Sequence, residues 1–270
     1  VWIRWLRLFS KLPQCIATCD VMNANRPSFE DAFGGTYLLV EPGEFLIGDQ
    51  VGSGHPNESP VSLVKITEPF FLGVRPVTQM HWSSIMGDNP SKFQDGWSAG
   101  LRPVETISMK DVDRFLKRLN GNGSEYIGLK GIWRLPTEAE WEYVAKAGTT
   151  TRWSFGNKDS ELDAHGWHGG NSGATTREVG SKKANPWGYF DMHGLIYEMT
   201  CTKWTASHKN HTGMQTYPSE ENSEFLVAKG GSWFTESDST RSSSRRKLRF
   251  DDRKDGIGLR LVWEPVEPVD

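Results

Sequence analysis

Alternating apolar and polar positions predict short strands in the first part of the chain. Four runs rich in β-branched and aromatic residues are each bounded by Gly, Pro, Asn or Glu. They are residues 37–40, 45–47, 61–66 and 70–74. No run approaches the ~18 consecutive apolar residues that a membrane-spanning helix needs. The pattern therefore predicts a domain that begins with short strands and has no membrane span.

Apolar residues at helical spacing predict three helices after these strands. The first covers residues 77–86 and ends at Gly87. The second begins at Ser108, which has the residue type of a helix cap. The third begins at Thr137, followed three positions later by Glu140 as in a capping box. The remaining sequence is rich in Gly, Asn, Trp and Ser and has few periodic runs, which predicts loops and short strands.

The first 34 residues have a different pattern. Apolar residues at helical spacing, separated by basic ones, predict an amphipathic helix near the start. Arg7 and Lys11 interrupt the apolar stretch that a secretory signal requires. The sequence therefore predicts no single location, and export, the cell surface and other compartments are alternatives. The predicted organisation is an appendage, one domain and a tail, at residues 1–34, 35–263 and 264–270.

Composition narrows the class of protein. The 31 Lys and Arg residues against 34 Asp and Glu give a net charge of -3, which makes no electrostatic case for nucleic acid or an anionic membrane. The chain has 28 Gly and 12 Trp, as expected of a loop-rich fold held by large aromatic side chains. The three cysteines, Cys15, Cys19 and Cys201, are too few for a disulfide framework.

Four segments in order carry a family resemblance. They are RPVETISMKDVDRFLKRLN at 102–120, WRLPTEAEWEYVAKAG at 133–148, VGSKKANPWGYFDMHGLIYEMT at 179–200, and KGGSWFTESDSTRSSSRR at 229–246 with the closing GIGLRLV at 256–262. Together they resemble the formylglycine-generating enzyme, or sulfatase-modifying-factor, family. The resemblance implies an α+β fold of the C-type-lectin-like kind, loop-rich, with short antiparallel strands and about three helices.

The resemblance also locates the catalytic positions of the family. Its catalytic members hold copper with two cysteines that follow the GGS motif, here Gly230 to Ser232, and oxidise a substrate cysteine. Those two positions are Thr235 and Thr240 in this chain. A threonine hydroxyl does not replace a thiolate in copper coordination or thiol exchange. No catalytic residue and no copper are therefore predicted.

A structural calcium site of the family maps onto the segment DMHGLIYE. The residues that the resemblance implies as ligands are Asp191, Gly194, Ile196 and Glu198. Carboxylate and main-chain oxygens around a turn suit a hard cation with 6 to 8 oxygen ligands. The alternative is that the two carboxylates only cap and solubilise a strand.

The resemblance implies that the stretch after the GGSW motif lines a binding groove. The predicted contact residues are Tyr197, Ser232, Trp233, Phe234, Thr235, Glu236, Asp238, Arg241 and Arg245, of which the last five are expected to be exposed. Residues 241–260 hold eight basic and three acidic side chains, a net charge of +5. An exposed basic lining favours a protein or an acidic or phosphate-bearing ligand. The alternative is that these charges pair with nearby carboxylates.

Two His-x-x-His pairs, His165 with His168 and His208 with His211, have ligands that a transition metal accepts. The alternative for both is solvated loop histidines. The leading hypothesis is a non-catalytic recognition module, a role known in this family from variable proteins of diversity-generating retroelements. An enzyme that uses a metal without thiolates and a structural component of an envelope complex are the rivals.

Overall fold

The structure, a computed structural model, describes residues 26–209 and 224–266. These residues form a mixed domain of strands and helices joined by long loops. The described part contains four helices: α1 at Gln79–Met86, α2 at Met109–Gly121, α3 at Glu138–Lys146 and the one-turn α4 at Leu162–His165. The three longer helices match the predicted ones, and α4 is an addition.

The larger sheet is six-stranded and antiparallel, in the order β1-β2-β5-β12-β7-β6. Its strands are β1 (Ser28–Glu30), β2 (Thr36–Val40), β5 (Phe70–Gly73), β12 (Val262–Pro265), β7 (Leu129–Arg134) and β6 (Glu125–Tyr126). The sheet thus places β12 between two strands from the first half of the chain.

A second sheet has the order β10-β9-β8-β11, and β11 runs parallel to β8. Its strands are β8 (Tyr197–Lys203), β9 (Phe225–Lys229), β10 (Arg246–Arg249) and β11 (Ile257–Leu259). The hairpin of β3 (Gly43–Ile47) and β4 (Ser62–Ile66) stands apart and packs against α3. The loop after β9 therefore leaves the end of an inner strand of this short sheet.

Helix starts follow the predicted caps. Ser108 and Thr137 each accept a backbone N–H three residues on, and each completes a capping box with a carboxylate at that position. Gly87 ends α1 with φ 78°, in the left-handed region that glycine tolerates. The ends of these helices are thus set by local sequence.

Tryptophans dominate the interior, as the composition predicted. Trp82, Trp133, Trp141, Trp153 and Trp263 are all fully buried. The backbone packs directly against one of these rings at Gly131, where an added Cβ would lie 2.2 Å from the Trp263 ring. Several glycines and tryptophans are therefore complementary parts of one packed core.

The domain begins earlier than the predicted boundary at residue 35, since β1 already pairs with β2. The sheet strand β12 likewise continues past residue 263 to Pro265. The predicted amphipathic helix, Cys15, Cys19 and His211 lie outside the described residues. Within the described part, no helix is long and apolar enough to cross a membrane.

Candidate functional site

The GGSW turn directly follows β9. Gly230 and Gly231 have φ values of 97° and 77°, a conformation that favours glycine. A Cβ on Gly231 would also lie 2.7 Å from Cγ2 of Thr240, so the turn packs closely on the segment that follows it. The Trp233 backbone N–H donates to Leu195 O at 3.0 Å, which fixes Trp233 against the segment just before β8.

An aromatic patch, defined here as Phe93, Trp233 and Phe234, lies at the surface beside this turn. The Trp233 ring meets Phe93 edge-on at 5.3 Å and Phe234 edge-on at 5.0 Å, and its Nε1 donates to Asp255 O at 2.9 Å. Phe234 is 41% exposed. Contacts with Phe93 and Asp255 therefore hold the Trp233 ring in place, while the Phe234 ring faces solvent.

The two threonines at the family's cysteine positions are both buried and hydrogen-bonded. Thr235 Oγ1 donates to Ser232 O and accepts the Ser232 N–H, each at 3.0 Å. Thr240 Oγ1 donates to Ser237 O at 2.7 Å and accepts Trp153 Nε1–H at 2.9 Å. Each hydroxyl thus uses its donor and an acceptor site to hold the loop in shape.

A buried histidine, His193, supports the same loop and was not among the predicted site residues. His193 Nε2 lies 2.8 Å from Ser154 Oγ and accepts the Ser154 N–H at 3.2 Å. Since Nε2 accepts, Nδ1 carries the proton, and it donates a hydrogen bond to Thr240 O at an N–O distance of 3.0 Å. Burial lowers the pKa of His193 to about 4, so the ring is neutral near pH 7. Only the three-dimensional fold brings it to this loop.

Arg241 is buried, and the expectation that it is exposed is wrong. Its guanidinium makes two hydrogen bonds of 2.7 Å to the Glu58 carboxylate and one of 2.8 Å to Asp238. Ser243 Oγ donates to the same Glu58 at 2.7 Å. A guanidinium matches a carboxylate in this bidentate way and remains charged when buried. Arg241 therefore joins distant parts of the chain.

Arg245 is likewise buried, so the expectation that it is exposed is also wrong. It donates to Glu138 at 2.5 and 3.0 Å and to Asn57 O at 2.7 Å. Next to it, Lys229 lies 3.9 Å from Glu138 and 2.8 Å from Glu142. The alternative reading of the basic segment, charges paired with carboxylates, is thus the correct one for Arg241 and Arg245.

The predicted contact residues divide into three groups by exposure. Phe234 and Glu236 are exposed, and Trp233 and Asp238 are partly buried. The expectation of an exposed Thr235 is wrong, and Tyr197 forms no open wall, because it is 5% exposed and covered by Arg246 at 4.8 Å. The other buried members are Ser232, Arg241 and Arg245. The predicted contact residues that are accessible are therefore aromatic and acidic, and none of them is basic.

The predicted calcium ligands are all buried and lie at the start of β8 or in the segment just before it. Arg260 donates to both oxygens of Glu198, at 2.7 and 2.9 Å, and Trp141 Nε1 donates at 2.6 Å. The Gly194 carbonyl accepts the Ile196 N–H. Because a guanidinium already neutralises Glu198, this arrangement does not fit the calcium site that the resemblance implies.

Asp191 has a different environment from Glu198. Its Oδ2 accepts the Gly180 N–H at 2.7 Å, whereas its buried Oδ1 has no hydrogen-bond partner in the described part. Burial raises the pKa of Asp191 to about 6. The carboxylate is therefore costly to ionise where it stands.

The histidines of the His-x-x-His pairs are engaged by protein groups. His165 stacks on Phe155 at 4.3 Å, and His168 lies 2.8 Å from an Asp163 oxygen. His208 is fully buried, so the interpretation as a solvated loop histidine is wrong for it. No three His, Cys, Asp or Glu side chains within residues 26–209 and 224–266 form a metal-binding group.

Cys201 lies inside the core, 2% exposed. Burial, with a smaller contribution from Glu140, raises the pKa of its thiol to about 12. A thiol with so high a pKa is not a nucleophile near pH 7.

A family model described as "Sulfatase-modifying factor enzyme 1-like domain" matches residues 26–265. The chain is 27% identical to "Chaperone protein LppX" of Paenibacillus barcinonensis, over 92% of this chain and 96% of that one. It is 23% identical to "Inactive C-alpha-formylglycine-generating enzyme 2" of Bos taurus, over 85% and 89%. The solved structure "Treponema denticola variable protein 1" superposes with a TM-score of 0.78 at 26% identity, covering 89% of this chain and 99% of that one.

Proposed function

The chain belongs to the family of sulfatase-modifying-factor domains, and from this premise we propose that it is a non-catalytic protein-binding module. The aromatic patch and Glu236 form the contact surface. The observation that carries the proposal is an exposed, rigidly supported aromatic surface beside a loop whose two catalytic cysteine positions are hydrogen-bonded threonines.

The chemistry at the family's catalytic positions supports the absence of copper oxidase activity. Copper(I) and thiol exchange require soft thiolate ligands. Thr235 and Thr240 supply hydroxyls that are committed to Ser232, Ser237 and Trp153. A relative that is 23% identical in sequence has a name that calls it inactive. We therefore propose that this loop serves as a framework.

The aromatic patch has the properties of a binding hot spot. Aromatic side chains are enriched at the centres of protein interfaces, where they bury a large area at a small cost in side-chain entropy. Phe234 is supported edge-on by Trp233, which is itself held by Phe93 and by the Asp255 carbonyl. A preformed ring loses little freedom when a partner covers it.

The charges around the patch favour a protein partner over an acidic ligand. Arg241 and Arg245 are buried in ion pairs, and Lys92 is paired with Asp255 at 2.5 Å. The exposed Glu236 adds negative charge. A relative called a chaperone and a structural neighbour called a variable protein are consistent with protein recognition.

We propose a fixed contact surface rather than a diversified one. A variable protein gains new partners by changing exposed residues, but residues 240–245 are all buried here and two of them hold the domain together by ion pairs. Substitutions at Arg241 or Arg245 would damage the fold before they altered recognition.

Site-specific photo-crosslinking tests this proposal. A photoreactive phenylalanine analogue replaces Phe234 in one variant and Ile132, which is 52% exposed on β7 in the other sheet, in the matched control. The expected result is a protein adduct in the native host cells only for the Phe234 variant. The captured protein is then purified and its affinity for the unmodified chain is measured.

Phe234→Ala should weaken that affinity at least tenfold, and Ile132→Ala should leave it unchanged. Equal affinity for both variants would remove the aromatic patch from the interface. Stoichiometric Cu(I) binding, or conversion of a cysteine in a CxPxR peptide to formylglycine, would replace the proposal by the enzymatic alternative.

A further inference from the structure

A second candidate site lies away from the GGSW turn. A cavity of about 220 Å³ opens between the loop before β2 and the start of α1. Its wall includes Phe33, Tyr37, Arg75, Met80, His81 and Glu178, and no residue of the segment 230–245. This volume is below the ~300 Å³ typical of sites for drug-sized molecules, which limits the occupant to a smaller ligand.

The loop at one side of the cavity is held rigid by a single carboxylate. Asp31 Oδ1 accepts the N–H groups of Phe33 and Gly35, both at 2.8 Å, and Oδ2 accepts the Tyr37 hydroxyl at 2.8 Å. The Asp31 side chain is completely buried. The cavity is thus preformed, so a ligand does not have to order this loop.

The two charged groups of the wall make no ion pair in the described part of the chain, although Arg75 is near enough to Asp191 to lower the pKa of that carboxyl. Arg75 packs over the Phe190 ring at 5.1 Å. Within residues 26–209 and 224–266, neither its guanidinium nor the Glu178 carboxylate makes a hydrogen bond or an ion pair. Both side chains are half-buried. Half-buried charges gain most from a ligand that carries the opposite charges.

A buried polar atom at the same wall is also unsatisfied. His81 is 3% exposed, and its Nε2 lies 3.5 Å from Asp31 Oδ2, too far for a good hydrogen bond. No hydrogen-bond partner for this atom occurs in the described part of the chain. The ring stacks on Phe33 at 5.5 Å, so both side chains of the pair belong to the cavity wall.

From these observations we infer that the cavity binds a small zwitterion, an α-amino acid with an apolar side chain. Arg75 pairs with the ligand carboxylate and Glu178 with its ammonium group. Phe33 and Met80 cover the apolar side chain, as apolar residues do in sites for small molecules. The wall has one positive and one negative unpaired group, which selects a neutral ligand with both charges.

Calorimetry with three forms of one amino acid tests the inference. Leucine carries both charges, leucinamide lacks the carboxylate, and N-acetylleucine lacks the ammonium group. Leucine, or methionine or phenylalanine in its place, should bind with a dissociation constant below about 1 mM. Each blocked form should bind at least tenfold more weakly.

Two charge-removing variants assign each contact. Arg75→Met should abolish the preference for leucine over leucinamide, and Glu178→Gln should abolish the preference for leucine over N-acetylleucine. Lys65→Met, at an ion pair with Glu44 on the β3–β4 hairpin, is the matched control and should keep both preferences. Circular dichroism establishes that every variant is folded.

Three results would overturn the inference. The first is that leucine, methionine and phenylalanine all fail to bind at about 1 mM. The second is equal binding of leucine and leucinamide, and the third is loss of both preferences in the control variant. Phe234→Ala should bind leucine normally, so failure of this inference and failure of the proposed function are distinguishable.

Discussion

The arginines in two regions of this domain differ in whether they form ion pairs with carboxylates. The arginines of the basic segment, Arg241 and Arg245, look available in the sequence and are buried in ion pairs with Glu58 and Glu138. Arg75 lies outside the basic segment and makes no ion pair with a carboxylate within the described residues, where its charge acts on Asp191 from a longer distance. Charge density along a chain is therefore a poor guide to the charges that a ligand can reach.

The contrast has a physical origin in long-range pairing. Glu58 and Arg241 are 183 residues apart in sequence, and Glu138 and Arg245 are 107 apart. A buried guanidinium must find a carboxylate or pay a large desolvation penalty. A half-buried guanidinium keeps part of its hydration, so Arg75 tolerates the absence of a direct ion pair.

The largest expected effect comes from breaking a buried pair. Arg241→Met keeps most of the side-chain stem and leaves the Glu58 carboxylate buried without its guanidinium. The free energy of unfolding should fall by about 3–5 kcal/mol, measured by urea denaturation. Arg249→Met, at the surface beside Glu224 and Asp251, is the control and should leave the transition nearly unchanged. Equal effects would mean that Arg241 is solvated.

The next effect is a loss of stability in acid. Burial favours a higher pKa for Glu142, but Lys146 and Lys229 outweigh it and lower the pKa to about 2. An unfolded Glu has a pKa of ~4.3. The contribution of Glu142 is therefore complete above about pH 4.3 and is lost as the pH falls towards 2, by about 3 kcal/mol.

Urea midpoints between pH 7 and pH 2 measure this loss. Glu142→Gln should be less stable at pH 7 and should show a smaller decline in acid. An unchanged decline in this variant would assign the acid sensitivity to other carboxylates.

A smaller effect of opposite sign is expected at Asp191, a buried charge with an incomplete set of partners. Its raised pKa of about 6, against ~3.9 in an unfolded chain, means that stability falls as the pH rises from about 4 to 6. Asp191→Asn should gain at most about 3 kcal/mol at pH 7 and lose this pH dependence. Asn tolerates the left-handed backbone at this position, φ 60°.

The same variant tests the calcium prediction. Thermal unfolding is followed with added CaCl₂ or with EGTA. A midpoint that rises with calcium in the native chain, and does not in Asp191→Asn, would restore the predicted site despite the Glu198–Arg260 ion pair. Equal midpoints in both solutions would leave the pKa argument as the full account of this residue.

The smallest effect is expected at Arg75, which makes no ion pair within the described residues. Arg75→Met should change the free energy of unfolding by less than about 1 kcal/mol without ligand, because it removes a cation–π contact with Phe190 and a longer-range attraction to Asp191 but no ion pair. A loss as large as that of Arg241→Met would show that Arg75 is structural. The contrast between the two regions would then disappear.

The parts of the fold that were predictable from sequence depend on neighbours in the chain. Ser108 and Thr137 cap helices through residues three positions away, and Gly87 ends a helix by its own conformation. The family motifs located the GGSW turn for the same reason, since the motif carries its own geometry.

The parts that were not predictable depend on distant pairing. Nothing next to Arg245 in sequence indicates Glu138, and nothing next to His193 indicates the carbonyl of Thr240. The cavity was missed for a related reason. Its wall combines Phe33, Arg75 and Glu178 from three separate segments, and none of these has a motif of its own.

The position of β12 has a consequence for truncated chains and for synthesis. This strand, Val262–Pro265, lies between β5 and β7 and supplies a pairing partner to each. A chain that stops before Val262 would leave two inner strands with open edges. Open edges of apolar strands template aggregation. Growing chains are therefore most exposed to misassembly just before this strand emerges, when almost all of the domain has been made.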